Sequence, residues 1–120
     1  MLHLSDRGRF FMFRHATDMR KSFHGLAAIV TQYMKKDVLN GDIYVFISKR
    51  RNAIKLLRFE GDGFAIFYKQ LEQGTFELPS ISDDTDTITT TCDELIFILK
   101  GVALKKIKYR PRYSHHKQSC

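Results

Sequence analysis

Three groups of residues in this chain could do chemistry: a cluster of carboxylates, a scatter of histidines and cysteines, and runs of Lys and Arg. Metal-dependent cutting of DNA needs three carboxylates brought together from separate elements, so that two cations lie in line with the phosphate. Asp83, Asp84 and Asp86 are instead neighbours in one polar stretch, SISDDTDTITT at residues 80–90, and read as a solvated loop cluster. The five histidines, His3, His15, His24, His115 and His116, show no i, i+4 pairing and no Cys or acid at zinc-site spacing. Cys92 and Cys120 form no CxxC pair, and no base is identifiable to activate the Cys92 thiol. Gly61-Asp62-Gly63 is too short to cradle a phosphate, and a hairpin turn accounts for it. The expectation is a protein with no catalytic residue, no metal site and no cofactor, and so not an enzyme.

The cations read differently. Lys49-Arg50-Arg51 falls between two strand patterns, where a hairpin tip can hold guanidinium and ammonium groups against successive phosphates while the sheet fixes their direction. A solvated turn on a basic protein has the same composition. Lys55 follows on the next strand. Arg20 and Lys21 stand at the polar start of a helical pattern, where Asp18 can draw Arg20 into a local ion pair. The chain has 20 Lys+Arg against 13 Asp+Glu, a formal charge of +7, which favours polyanionic partners. Much of the excess is C-terminal: no acid follows Glu94, whereas Lys100, Lys105, Lys106, Lys108, Arg110, Arg112 and Lys117 do. Interleaved with Tyr109 and Tyr113, these cations suit contact with a nucleic-acid backbone and stacking on bases; a solubilising tail would look the same.

A small fold must position these residues. With 120 residues and 43% apolar content, the chain has material for one core, expected as a single domain over residues 1–109 with a basic flexible tail over 110–120. RFFMFR at 9–14 reads as a strand. Met19, Phe23, Leu26, Ala27, Val30, Tyr33 and Met34 recur at spacings of three and four. That stripe predicts one α-helix over residues 18–36, capped by Thr17 or Asp18, with Lys35 and Lys36 at its negative end. Gly25 within it suggests a close approach to the sheet. After the break at Asn40-Gly41, strands at 43–48, 54–60 and 64–70, joined by the 49–52 turn and the Gly61-Asp62-Gly63 hairpin, predict an antiparallel meander.

The strand pleat puts Leu57, Phe59, Phe64, Ile66 and Tyr68 on the side that meets the helix. Leu56, Arg58, Phe67 and Lys69 form the other side, part apolar and part basic, which the C-terminal segment or a partner should cover. Residues 75–78 read as a short strand, 80–90 as an irregular connector and 102–109 as a last strand. Thr91 and Glu94 make a capping box for a second helix running through Leu99 to Gly101. The fold class expected is α+β: an antiparallel β-meander sheet packed by one long N-terminal helix, with a short second helix near the C-terminus. No apolar run approaches the length of a membrane span and MLHLSDRGRF has no signal core, so the expected setting is the cytoplasm, away from any membrane.

The order of several motifs carries more than any one of them. Thr17-Asp18-Met19-Arg20-Lys21 is followed by Phe23, Gly25 and Leu26; Gly41 by Val45 and Phe46, the basic turn Lys49-Arg50-Arg51, and Ile54-Lys55-Leu56-Leu57. Asp62-Gly63-Phe64, Tyr68-Lys69, Leu71-Glu72, Gly74-Thr75-Phe76 and Pro79 complete the series, which spans roughly residues 9–79. In this order the chain resembles the small accessory protein, also called TnpB or the second-reading-frame protein, of the insertion-sequence-sixty-six type of bacterial transposon. Phe59 stands where that family more often has Trp, and Gln70 where it often has Arg. The resemblance implies a role in transposition beside a separate large transposase and another small DNA-binding protein of the same element. It does not extend to the RNA-guided nuclease that shares the TnpB name, whose length and zinc and acidic motifs this chain lacks.

Two functions follow. The first is a non-catalytic accessory factor of DNA transposition that binds DNA, the transposase or both. Its nucleic-acid contacts would be Arg20, Lys21, Lys49, Arg50, Arg51, Lys55, Lys105, Lys106, Lys108, Arg110 and Arg112. The alternative is a pure protein-protein interaction module of the transposition complex, docking through Leu56, Arg58, Phe67 and Lys69 without direct DNA contact. The partners expected are DNA, the transposase and other proteins of the same insertion sequence, with homo-oligomerisation left open.

Overall fold

The computed structural model describes residues 9–78 and 86–100. In chain order these residues form strand β1 (Phe10–Phe13), helix α1 (Phe23–Ile29) continued by a π-helical turn (Val30–Met34), and a 3-10 turn (Val38–Asn40). Strands β2 (Ile43–Ile47), β3 (Ala53–Phe59), β4 (Phe64–Gln70) and β5 (Thr87–Thr90) follow, and helix α2 (Cys92–Lys100) ends the described chain. The strands make one five-stranded sheet in the order β4-β3-β2-β1-β5.

This architecture corrects the expected fold class. The sheet is mixed, because β1 lies parallel to β2, with Phe10 opposite Ile43 and Met12 opposite Val45. The chain from β1 through α1 to β2 is long enough for the crossover that parallel pairing requires. β2, β3 and β4 do form an antiparallel meander, but it is only part of the sheet. Among the described residues no long N-terminal helix packs it: α1 has seven residues and the π-turn adds five.

Residues 17–21, expected to begin that helix, form a turn instead, in which the Asp18 carbonyl accepts from Lys21 N rather than from Ser22 N. Thr17 N donates to Ile47 O (2.9 Å) and Lys21 N to Asp18 O (3.0 Å), while Arg20 N donates to the Asp18 carboxylate (2.9 Å). The last of these is a cap-like bond from the Asp18 side chain, but it caps a turn and not a helix. At the other end the chain leaves the helix at Lys35, whose φ of 58° is left-handed. Gly25 does not approach the sheet; a Cβ there would meet Lys21 Cβ and Cγ at 3.2 Å.

The sheet is buried on both faces, which explains why β1 (FFMF) and β2 (IYVFI) are continuously apolar rather than alternating. One face carries Phe11, Tyr44, Phe46 and Leu57 against Leu26, Val30 and Met34, with Phe64 and Ile66 packed alongside. Of the five residues expected on the helix side, Leu57, Phe64 and Ile66 pack in this core, whereas Phe59 is outside it and Tyr68 is 49% exposed. The opposite face carries Met12, Val45, Ile54 and Leu56 against Leu95 and Ile98 of α2. The C-terminal helix is thus the cover that the Leu56 side called for.

Local geometry agrees with several turn and cap expectations. Phe59 pairs with Phe64, Glu60 N donates to Gly63 O (2.8 Å), and Gly61 takes a φ of 97°. This defines Gly61-Asp62 as a two-residue turn with positive φ at its first position only, the type II′ pattern. The capping box of α2 is reciprocal: Glu94 N donates to Thr91 Oγ1 and Thr91 N to Glu94 Oε1, each at 3.1 Å. Residues 87–90, read from sequence as irregular connector, are strand β5, antiparallel to β1. Residues 75–78 form no strand, although Phe76 is 1% exposed within the α2-side core. The last strand expected at 102–109, the tail and Gly101 lie outside the described residues.

Candidate nucleic-acid interface

The β2–β3 connection is a tip held by its own backbone. Ser48 N donates to Ala53 O (3.0 Å) and Arg51 N to Ser48 O (2.9 Å), while Ser48 Oγ accepts from Ala53 N (3.1 Å). Two further bonds brace it from outside: Phe76 N donates to Arg51 O and Leu71 N to Asn52 O, both at 2.7 Å. Arg51 sits at a φ of 60°, a left-handed conformation that non-glycine residues adopt at a cost. Lys49, Arg50 and Arg51 are all exposed. Among the described residues, none of their side chains is in an ion pair.

Parallel pairing of β1 with β2 brings a second segment to this tip. The carboxyl ends of both strands open at one end of the sheet, and a cleft of about 520 Å³ lies there. Met12, Ile47, Leu78 and Ile88 supply apolar walls, and Arg14, His15, Lys49 and Arg51 supply basic ones. Four potential cations from two distant stretches thus line one hollow, at the strand ends where open α/β sheets commonly take ligands. His15 is oriented by Asp86, with Nε2 2.7 Å from Asp86 Oδ1. Its ring also meets Phe13 edge to face at 5.3 Å, and Phe13 lies 6.1 Å from the ring of Tyr33, centroid to centroid. Tyr33 is 54% exposed.

The remaining sequence-derived positions divide by environment. Arg20 is exposed but its guanidinium is engaged by Asp18, with Nη2 to Oδ2 at 2.8 Å. This side-chain hydrogen bond, together with the Arg20 backbone N–H, holds the Asp18 carboxyl down at about 2. Lys21 is exposed. Lys55 is buried at 8% exposure; its Nζ donates to Lys21 O (2.8 Å) and lies 5.0 Å from the Tyr68 ring centre. Its ammonium therefore serves an internal contact, as burial of a charge requires. Lys105, Lys106, Lys108, Arg110 and Arg112 lie outside the described residues.

On the opposite side, Leu56 is 1% exposed and belongs to the core under α2, so it has no surface to present to a partner. Phe67 packs partly against the same core. Lys69 Nζ donates to Leu99 O (2.9 Å), satisfying a carbonyl near the end of α2. Arg58 is half-buried.

Sequence reading missed Arg14 and Tyr33, and weighed His15 only as a metal ligand. The missing signal was the strand pairing: only when β1 is known to run parallel beside β2 do their C-terminal residues become neighbours. Among the described residues no group of three His, Cys, Asp or Glu side chains could hold a metal ion. Asp83 and Asp84 lie outside them.

Residues 8–109 match the family model described as IS66 Orf2 like protein. The chain is 29% identical over 94 residues to the uncharacterized protein y4jC of Sinorhizobium fredii, covering 78% of this chain and 79% of the relative. It is 31% identical over 86 residues to the uncharacterized protein y4hO of the same organism, covering 72% and 73%. No solved structure matches.

Proposed function

The chain belongs to the IS66 Orf2 like family, whose role is accessory to transposition, and we propose that it acts there without catalysis, holding DNA on the β2–β3 tip and meeting the separate transposase. The observation that carries this reading is the tip itself. Lys49, Arg50 and Arg51 are exposed, form no ion pair among the described residues, and sit on a turn braced by five hydrogen bonds. Cations held in fixed directions and left without internal partners suit a row of phosphates. The setting is the bacterial cytoplasm, where transposon ends are available. No helix among the described residues is long and apolar enough to cross a membrane.

The experiment is a titration of labelled element-terminal DNA at several salt concentrations. If tip and tail together neutralise about six phosphates, the log-log salt slope is about −5, and Ala at Lys49, Arg50 and Arg51 lowers its magnitude by about 3. A flat salt response overturns the reading. A second reading, a pure protein-protein module, is favoured by the exposed aromatic rings of Phe23 and Tyr68, 41% and 49% accessible on the α1 side. Co-purification with the transposase separates the two: retained transposase with no DNA dependence, and no loss on tip substitution, selects the second.

A further inference from the structure

We propose that the cleft at the carboxyl ends of β1 and β2 takes an unpaired DNA strand, its bases stacking on the His15 and Tyr33 side of the rim and its phosphates meeting Lys49 and Arg51. The proposal rests on the DNA-binding reading above and names which form of DNA the site fits. A duplex offers a protein surface phosphates and groove edges, because its base faces are covered by stacking. A tip of cations alone would suit it. The cleft adds what a duplex does not use: apolar patches from Met12, Ile47, Leu78 and Ile88 within a mostly polar lining, and an aromatic ledge beside it. In that ledge Phe13, 7% exposed, supports the exposed ring of His15, which lines the cleft, and that of Tyr33, which stands just outside the lining. A cationic groove bordered by open aromatic faces is the arrangement that binds single strands with little regard to sequence. The volume, about 520 Å³, lies within the ~300–1,000 Å³ typical of sites that enclose a small ligand.

The electrostatics assign the two sides. Asp86 stands 2.7 Å from His15 Nε2, and its carboxylate repels a phosphate placed there, so His15 contributes its ring face. Lys49 and Arg51, with no carboxylate paired to them among the described residues, are where the backbone runs. The strand therefore crosses the rim from the aromatic ledge toward the β2–β3 tip.

Fluorescence anisotropy of the full chain with a labelled oligodeoxythymidine and with a blunt duplex of equal length tests this. Tyr33 is exposed, so Tyr33→Ala leaves the fold intact, checked by an unchanged melting temperature. Its expected effect is a loss of single-strand affinity of about fivefold to 150-fold, the range for removing one base-stacking ring, with duplex affinity changed less than about twofold. His15→Ala provides a second, independent stacking variant with the same expectation. Duplex binding that is retained while the single strand binds no tighter, or binds equally well to both variants, overturns this inference and leaves the DNA-binding reading standing. Failure of both DNA forms to bind overturns both.

Discussion

Arg51 offers a substitution that separates charge from stability. Its φ of 60° costs a non-glycine residue about 1–2 kcal/mol, and glycine occupies the same conformation without that cost. Against this, glycine adds freedom to the unfolded chain, worth about 0.4–1 kcal/mol. The Arg51 side chain is exposed and its main-chain bonds, from N to Ser48 O and from Phe76 N to its carbonyl, do not depend on it. Arg51→Gly is therefore expected to leave stability unchanged or raise it by up to about 1.5 kcal/mol, a melting shift of up to roughly 6 °C in a domain of this size. The same change removes one cation from the tip and should lower the magnitude of the salt slope by about 0.9. Arg51→Ala, which keeps the strained backbone, loses the charge without the gain. Thermal unfolding followed by circular dichroism, paired with DNA titrations at four salt concentrations, reads both quantities. A glycine variant melting more than about 1 kcal/mol below the parent would refute the strain argument, and an unaltered salt slope would take Arg51 out of the DNA contact set.

Other consequences are independent of DNA. Thr17 is 5% exposed and its Oγ1 has no hydrogen-bond partner, so Thr17→Val should stabilise the fold by about 1 kcal/mol in urea unfolding; a loss of stability would mean that the hydroxyl is satisfied. Glu94 accepts from Thr90 Oγ1 and from Thr91 N, so Glu94→Ala should cost about 1–2 kcal/mol while Glu94→Gln retains most of the cap. Asp18 is held at about 2 by Arg20, and a lowered carboxyl contributes stability above its ordinary value of 3.8, lost as pH falls toward 2. Carboxyl chemical shifts followed by NMR should place the Asp18 titration there, and Arg20→Ala should move it back toward 3.8.

Local signals in the chain translated well into local structure. The Gly61-Asp62-Gly63 hairpin, the Thr91 and Glu94 capping box and, of the inward set, Leu57, Phe64 and Ile66 follow from rules that involve residues a few positions apart, and the structure contains them. The long helix failed for a reason of the same scale. The apolar stripe from Met19 to Met34 was genuine, but the Asp18 carbonyl, which an α-helix would give to Ser22 N, accepts from Lys21 N, and the first helical bond runs from Leu26 N to Ser22 O, so a local turn shortened what periodicity alone extended. β5 was overlooked because TITT sits inside an acidic stretch, although Thr and Ile are strand-favouring residues.

By itself, the sequence determined the chain's positive charge, the order of its β2–β4 meander, the basic tip and the resemblance to its family, because each is written in residue type and short spacing. The packed fold was needed to set β1 parallel to β2, to roof the Leu56 face with α2, to turn Lys55 inward, and to bring Arg14, His15, Lys49 and Arg51 to one cleft. The physical reason is that strand partners are chosen by burial summed over the whole sheet. An apolar strand such as FFMF reads identically whichever neighbour it takes, and the choice of neighbour is what brings distant side chains to one place.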